Sequence, residues 1–130
     1  MNPYNNRKYP RRGEIYYIKK LESRTTGSEI WSNRHAVIVS SNHMNKHSQV
    51  VQVVYITTQE KSSKPNHVDI TTGKVNRTVL CEQVTPVDKS RIVEYKGYLS
   101  VEQMTAVDKA IAWTLGLLKS VNRKRQPSAT

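Results

Sequence analysis

The chain contains no phenylalanine and a single cysteine, Cys81, in 130 residues. One cysteine cannot close an internal disulfide, which fits a reducing compartment. The aromatics present are seven tyrosines and two tryptophans, so most carry a polar handle that needs a partner when buried. No apolar run approaches the roughly 18–20 residues of a membrane span. The first thirty residues are polar and basic, without the apolar stretch of a signal peptide. The length excludes a barrel of roughly 250 residues and fits one domain. No GxxxxGK(S/T) loop occurs, which excludes a P-loop, and no GxSxG elbow occurs. His43 and His47 stand four apart without a third ligand nearby, so no metal site is expected.

Positive charge is what the sequence has in excess: 21 Lys and Arg against 10 Asp and Glu, a net +11. A pI near 10.0 points to a polyanionic partner, nucleic acid before membrane. The excess sits at the ends. Arg7, Lys8, Arg11 and Arg12 lie in residues 1–12, and Lys119, Arg123, Lys124 and Arg125 in 119–130, with no acid in either segment. Residues 13–118 keep 13 basic and 10 acidic side chains, a body of only +3. Both ends read as mobile tails that add salt-dependent, sequence-blind affinity for a polyanion.

The body alternates short strand patterns with polar loops. Strands are expected over 14–20, 36–39, 50–57, 78–84 and near 93–96, with a shorter one at 67–70. Residues 22–33 and 58–66 read as loops, and 43–48 as a turn or single helical turn. Thr85-Pro86 has the form of an N-cap followed by proline at the first helical position, predicting a short helix through 88–91. The strongest helix signal begins at Ser100, an N-cap with Gln103 completing a capping box. Met104, Val107, Ile111, Leu115 and Leu118 then form one apolar stripe, with Leu99 and Met104 as a staple and Gly116 as a stop. Strands followed by one terminal amphipathic helix predict a mainly β fold, a small curved sheet or barrel covered by that helix.

Few residues carry chemistry. Cys81 alternates with apolar neighbours in a strand and reads as a buried, inert thiol. Arg34 opens an apolar strand and needs an anionic partner or an exit to water. Thr57 and Thr58 close another strand. Glu82 and Gln83 interrupt a third, where one of the two must face inward and find a partner unless the strand is an edge.

In order along the chain, RRGEIYYIK at 11–19, GSEIWSNRHAVIVSS at 27–41, VVYITTQ at 53–59, PNHVDI at 65–70, TVLCEQVTPVDKSRI at 78–92 and GYLSVEQMTAVDKAIAWTLGL at 97–117 resemble the MazF/PemK (Kid) family of toxin endoribonucleases. The resemblance spans residues 11–118 as one toxin domain, leaving 1–10 and 119–130 as basic tails. It implies a small SH3-like barrel of the CcdB/PemK type and a homodimer in the bacterial cytoplasm, held in check by a cognate antitoxin. The implied activity is metal- and cofactor-independent cleavage of single-stranded mRNA, leaving a 2′,3′-cyclic phosphate and a 5′-hydroxyl. By the same resemblance Arg34 and Thr57 match the catalytic arginine and threonine. Ser28 and Glu29 match groove-lining positions, Gln59, Glu82 and Gln83 match positions near the site, and Asn33, Trp31 and His67 are candidate RNA contacts, Trp31 by stacking.

The chemistry can be argued from residue types as well. Attack by a 2′-oxygen builds negative charge on phosphorus, which an arginine fork stabilises. Arginine does not deprotonate in proteins, so Arg34 is read as a charge stabiliser before a general acid. A threonine is a poor base unless something polarises it, so Thr57 is read as a hydrogen-bonding hydroxyl. Two positions depart from the family pattern: His35 stands where proline usually follows the arginine, and Ser32-Asn33 where two glycines often precede it. Strand alternation turns His35 away from Arg34. The alternative function is a non-catalytic CcdB-like toxin that binds DNA gyrase; a third is a degenerate RNA-binding module.

Overall fold

A computed structural model describes residues 2–19, 34–58, 64–72 and 75–118. The chain forms β1 (Glu14–Ile18), β2 (Arg34–Ile38), α1 (Asn42–His47), β3 (Val50–Thr57), β4 (His67–Thr72), β5 (Val75–Asp88), β6 (Ile92–Tyr98) and α2 (Val101–Thr114). The strands make one antiparallel sheet in the order β4-β5-β3-β2-β1-β6. The mainly β fold with a C-terminal helix is as the sequence predicts.

Period-two alternation sends side chains to two separate cores. Ile15, Val37, Val54, Ile56, Ile70, Val79 and Cys81 face one side, where Leu99, Val107 and Ala110 close over them. There α2 packs against β4 and β5. Tyr16, Ile18, Ala36, Ile38, Val51, Val53, Tyr55, Val87 and Ile92 form the other core. Several of these are fully buried although α2 lies on the opposite side. The sheet therefore curls around them, which is the barrel-like half of the fold.

β5 makes that curl possible. Its register against β3 runs Val50↔Asp88 to Val53↔Thr85, then resumes at Tyr55↔Leu80. Cys81–Val84 thus oppose Val54 alone, a wide bulge that bends the strand and lets β5 serve both cores. The helix expected after Thr85-Pro86 does not form. Thr85 and Pro86 belong to β5, and only Lys89–Arg91 make a 3₁₀ turn, capped by the Asp88 side chain. Proline is tolerated because β4 pairs with β5 only up to Leu80, so beyond it that edge of β5 is unpaired among the described residues. The same pairing stretches β5 to 14 residues, well past both ends of the 78–84 expectation.

α2 starts as predicted, with both halves of the Ser100–Gln103 capping box formed. It stops sooner. Leu115 is the C-cap and is exposed, so the apolar stripe ends at Ile111, and Gly116 (φ +79°) supplies the left-handed stop.

The N-terminal segment differs most from expectation. Residues 2–12 pack onto the sheet instead of standing off as a tail. Tyr4 meets the buried Tyr16 edge-on at 6.0 Å, and Pro10 is buried. Glu14 is almost fully buried and is held by the Tyr16 hydroxyl (2.8 Å), the Arg11 amide (2.7 Å) and an ion pair with Arg7 (3.4 Å). Arg12 reaches α2 with two bonds to Asp108, at 2.6 and 3.2 Å. Residues 119–130 lie outside the described residues.

Candidate functional site

Arg34 begins β2 on the face of the curled core, since Ala36 and Ile38 follow it at period two into that core. β2 pairs with β3 through Ala36↔Tyr55. Two further residues along this antiparallel register, Arg34 stands opposite Thr57. The register continues sideways, Thr57↔Thr78 into β5 and Thr78↔Asp69 into β4. One face of four neighbouring strands therefore carries a polar row, Arg34–Thr57–Thr78–Asp69. The next row inward is Ala36–Tyr55–Leu80–His67.

Each member of the row has a defined setting. The Arg34 guanidinium lies over the Tyr55 ring, 4.7 Å from its centre. It is half-buried, and no carboxylate among the described residues forms an ion pair with it. Stacking on an aromatic face holds the planar fork while leaving its N–H edges for a ligand. Thr57 is half-buried at the strand end. Thr78 is only 2% exposed and donates its hydroxyl to Asp69 Oδ1 at 2.9 Å.

His67 and Glu82 meet beside this row. His67 Nε2 lies 3.1 Å and 3.2 Å from the two carboxylate oxygens. A carboxylate only accepts, so Nε2 carries the proton. Nδ1 is buried without a hydrogen-bond partner among the described residues, as is Gln83 Oε1. Gln83 is thus the inward member of the pair that interrupts β5, and Glu82 the outward one. Both sit in the Cys81–Val84 bulge, where an irregular strand can aim two consecutive polar side chains differently.

Of the residues singled out in the sequence, Arg34, Thr57, His67 and Glu82 come together on this face, with Gln83 adjoining. Ser28, Glu29, Trp31, Asn33 and Gln59 lie outside the described residues. Tyr55, Thr78 and Asp69 were missed by sequence reasoning. Tyr55 and Thr57 share a face by alternation, but only the cross-strand register reveals Thr78 and Asp69.

His35 turns to the opposite face, its ring tilted against Tyr17 at 5.2 Å between ring centres. It lines a cavity of about 210 Å³ with Ile15, Ile56, Arg77 and Lys96. Burial there lowers its pKa, and the positive charges of Arg77 and Lys96 lower it further, partly offset by Glu94. Cys81 is buried and its thiol is pushed up to about 12, chiefly by desolvation, so it is inert as predicted. The His43 and His47 rings meet at a tilt on α1, 4.6 Å between centres. Among the described residues no three His, Cys, Asp or Glu side chains gather as a metal site, and no helix is long and apolar enough to cross a membrane.

A curled antiparallel sheet under one C-terminal helix, with an arginine and a threonine at neighbouring strand ends, defines a small, mainly β, barrel-like protein with a polar rim. Residues 11–115 match the family described as PemK-like, MazF-like toxin of type II toxin–antitoxin systems. The chain belongs to that family, and with it to the toxin endoribonucleases. It is 37% identical over 112 residues to an endoribonuclease MazF of Staphylococcus saprophyticus, covering 82% of this chain and 92% of that one. Among solved structures it is similar to a mycobacterial endoribonuclease in complex with its cognate antitoxin (25% identity, TM-score 0.68, 83% of this chain and 96% of that one). It also shares its fold with MazF of Deinococcus radiodurans (20% identity, TM-score 0.70, 85% and 99%).

Proposed function

We propose that this chain cleaves single-stranded mRNA at the Arg34–Thr57 row without a metal or other cofactor, by attack of the ribose 2′-oxygen on the adjacent phosphorus. The 2′-hydroxyl loses its proton to solvent as the O2′–P bond forms, the P–O5′ bond breaks, and the departing 5′-oxygen takes up a proton, leaving a 2′,3′-cyclic phosphate and a 5′-hydroxyl with no net change in protons. What supports this reading is the β2–β3 register, which continued past Ala36↔Tyr55 brings Arg34 opposite Thr57, together with the Arg34 guanidinium lying over the Tyr55 ring. The substrate supplies its own nucleophile, so the protein's task is positioning and charge stabilisation. Arg34 neutralises the developing phosphorane and Thr57 hydrogen-bonds the phosphate or the 2′-oxygen. Tyr55 fixes Arg34, and the His67–Glu82 pair with Gln83 flanks the path of the strand as RNA contacts. Ser28, Glu29 and Gln59 join the groove on the family resemblance, and Trp31 and Asn33 are further candidate RNA contacts.

The same resemblance supports a homodimer acting in the bacterial cytoplasm. The antitoxin complex of the mycobacterial neighbour supports neutralisation by a cognate antitoxin, whose acidic segment would cover Arg34 and fold as it binds.

The test is incubation of the full chain with mixed-sequence RNA in EDTA, followed by analysis of the fragment ends. Cyclic phosphates from wild type, with at least a hundredfold loss in Arg34→Ala and Thr57→Ala, are the expected result. Absence of cleavage by wild type, with growth arrest retained in cells, would point to the gyrase-binding alternative instead.

A further inference from the structure

Lys8 and Tyr9 precede the region that matches the family, which begins at residue 11, yet their segment is folded against the sheet. Tyr4–Arg7 make a tight turn, closed by the Arg7 amide on the Tyr4 carbonyl (3.0 Å), with Asn5 and Asn6 at φ +54° and +67°. Asparagine tolerates the left-handed region, and two in succession suit a type I′ turn. Asn2 braces the turn: its side-chain oxygen accepts from the Tyr4 amide (2.7 Å), and its NH₂ donates to the Arg7 carbonyl (3.0 Å). The segment is set before a ligand arrives, which lowers the ordering cost of binding. Its contacts converge on Glu14. Arg7 pairs with that carboxylate, the Arg11 amide donates to it, and Tyr98 stands across from it in the β1–β6 register.

Around Glu14 stand groups with nothing to do inside the fold. Tyr98 is 71% exposed. The Arg11 guanidinium lies over the Tyr9 ring, 5.3 Å from its centre, an arrangement like that of Arg34 over Tyr55. Lys8 and Arg11 are exposed, and no carboxylate among the described residues pairs with either. The acids close by are engaged: Glu14 with Arg7 and the Tyr16 hydroxyl, and Asp88, which faces Tyr4, with Gln49 and Ser90.

We propose that Lys8, Tyr9, Arg11 and Tyr98 form a second contact surface for single-stranded RNA, apart from the cleavage row. Lys8 and Arg11 hold phosphates, Tyr9 fixes the Arg11 fork, and a base stacks on Tyr98. A strand of RNA alternates phosphates with π-faces, and an exposed ring beside two cations answers both; an acidic peptide would use the cations alone. Such contacts are blind to sequence. Arg34 stands across from Ile18 and Tyr98 across from Glu14, so the two sites lie roughly 13 Å apart along β1. RNA leaving the cleavage row reaches the second site within a short stretch. The class of partner is taken from the cleavage reading of Arg34 and Thr57, but binding can be measured without cleavage.

The experiment titrates the full chain against a labelled single-stranded 2′-O-methyl oligonucleotide, read by fluorescence anisotropy. This probe keeps the bases and phosphates but lacks the attacking hydroxyl, so it is bound and not cut. Tyr98→Ala raises Kd by about tenfold, as expected for one stacked base, while Tyr98→Phe, which keeps the ring, binds as wild type does. Lys8→Gln combined with Arg11→Gln lowers the slope of log Kd against log salt by about 1.4, the share of two phosphates on a single strand. A wild-type Kd in Tyr98→Ala overturns the proposal, and so does an unchanged salt slope in the double variant. A double variant that loses affinity for poly-glutamate, with Tyr98→Ala unaffected on the oligonucleotide, overturns it in favour of an acidic peptide. A wild type that binds the probe as expected but cuts no RNA overturns the cleavage reading and leaves this surface standing.

Discussion

His35 and Arg34 are chain neighbours with opposite surroundings, one over a cavity behind the sheet and one over Tyr55 in front. The pKa of His35 is lowered in the fold, so the unfolded chain takes up its proton first as the pH falls below about 6.5. The native state is then penalised, and stability declines with acidification until the folded imidazole also titrates. His35→Gln should flatten the fall of Tm between pH 7 and 5 while leaving the pH–rate profile of cleavage unchanged. Parallel melting curves against pH for both proteins would refute the first half. A shifted rate profile would show that the sheet transmits the charge to Arg34. The turn of His35 away from Arg34 was legible in the sequence, because alternation is a local rule. The cations that surround it were not, since Arg77 and Lys96 arrive from β5 and β6.

At the scale of elements, α2 is the part most open to reading in advance. Its capping box and its period of three to four are short-range signals, and both are realised. Ser100→Ala removes the acceptor for the Gln103 amide and should cost about 1 kcal/mol. A thermal melt would show this as a Tm lower by about 4 °C, whereas an unchanged Tm would mean that the first turn is held by packing alone. β5 shows the opposite case. Thr85-Pro86 has the form of a helix start, but pairing with Val50–Val53 overrides that propensity. The bulge at Cys81–Val84 leaves no mark in composition, and it is the feature that splits Glu82 from Gln83. Likewise Arg34 and Thr57 were reachable through resemblance, whereas Thr78 and Asp69 join them only through a register spanning four strands.

For the whole molecule, the charge excess looks different once the fold is known. Arg7 and Arg12, counted with a basic tail, are paired with Glu14 and Asp108. The Arg12–Asp108 pair is partly exposed and is worth at most about 1 kcal/mol. The larger contribution of the N-terminal segment is Tyr4, which covers one end of the curled core beside Tyr16. Tyr4→Ala should destabilise the whole domain by about 1–2 kcal/mol, from a lost aromatic edge contact and exposed apolar surface. Urea unfolding would register this as a lower midpoint with one cooperative transition. An unchanged midpoint would return residues 2–9 to the status of a tail.

The closure of the sheet also sets a schedule. β1, among the first elements made, finds its outer partner in β6, and Arg12 finds Asp108 some 96 residues later. A ribosome adding roughly 5–20 residues per second needs on the order of ten seconds to finish such a chain. Until then Glu14–Ile18 is a bare strand edge, and the core around Tyr16 lacks Val87 and Ile92. A copy broken off before residue 92 is therefore an unfinished barrel, its β1 edge bare and its curled core open where Ile92 would close it.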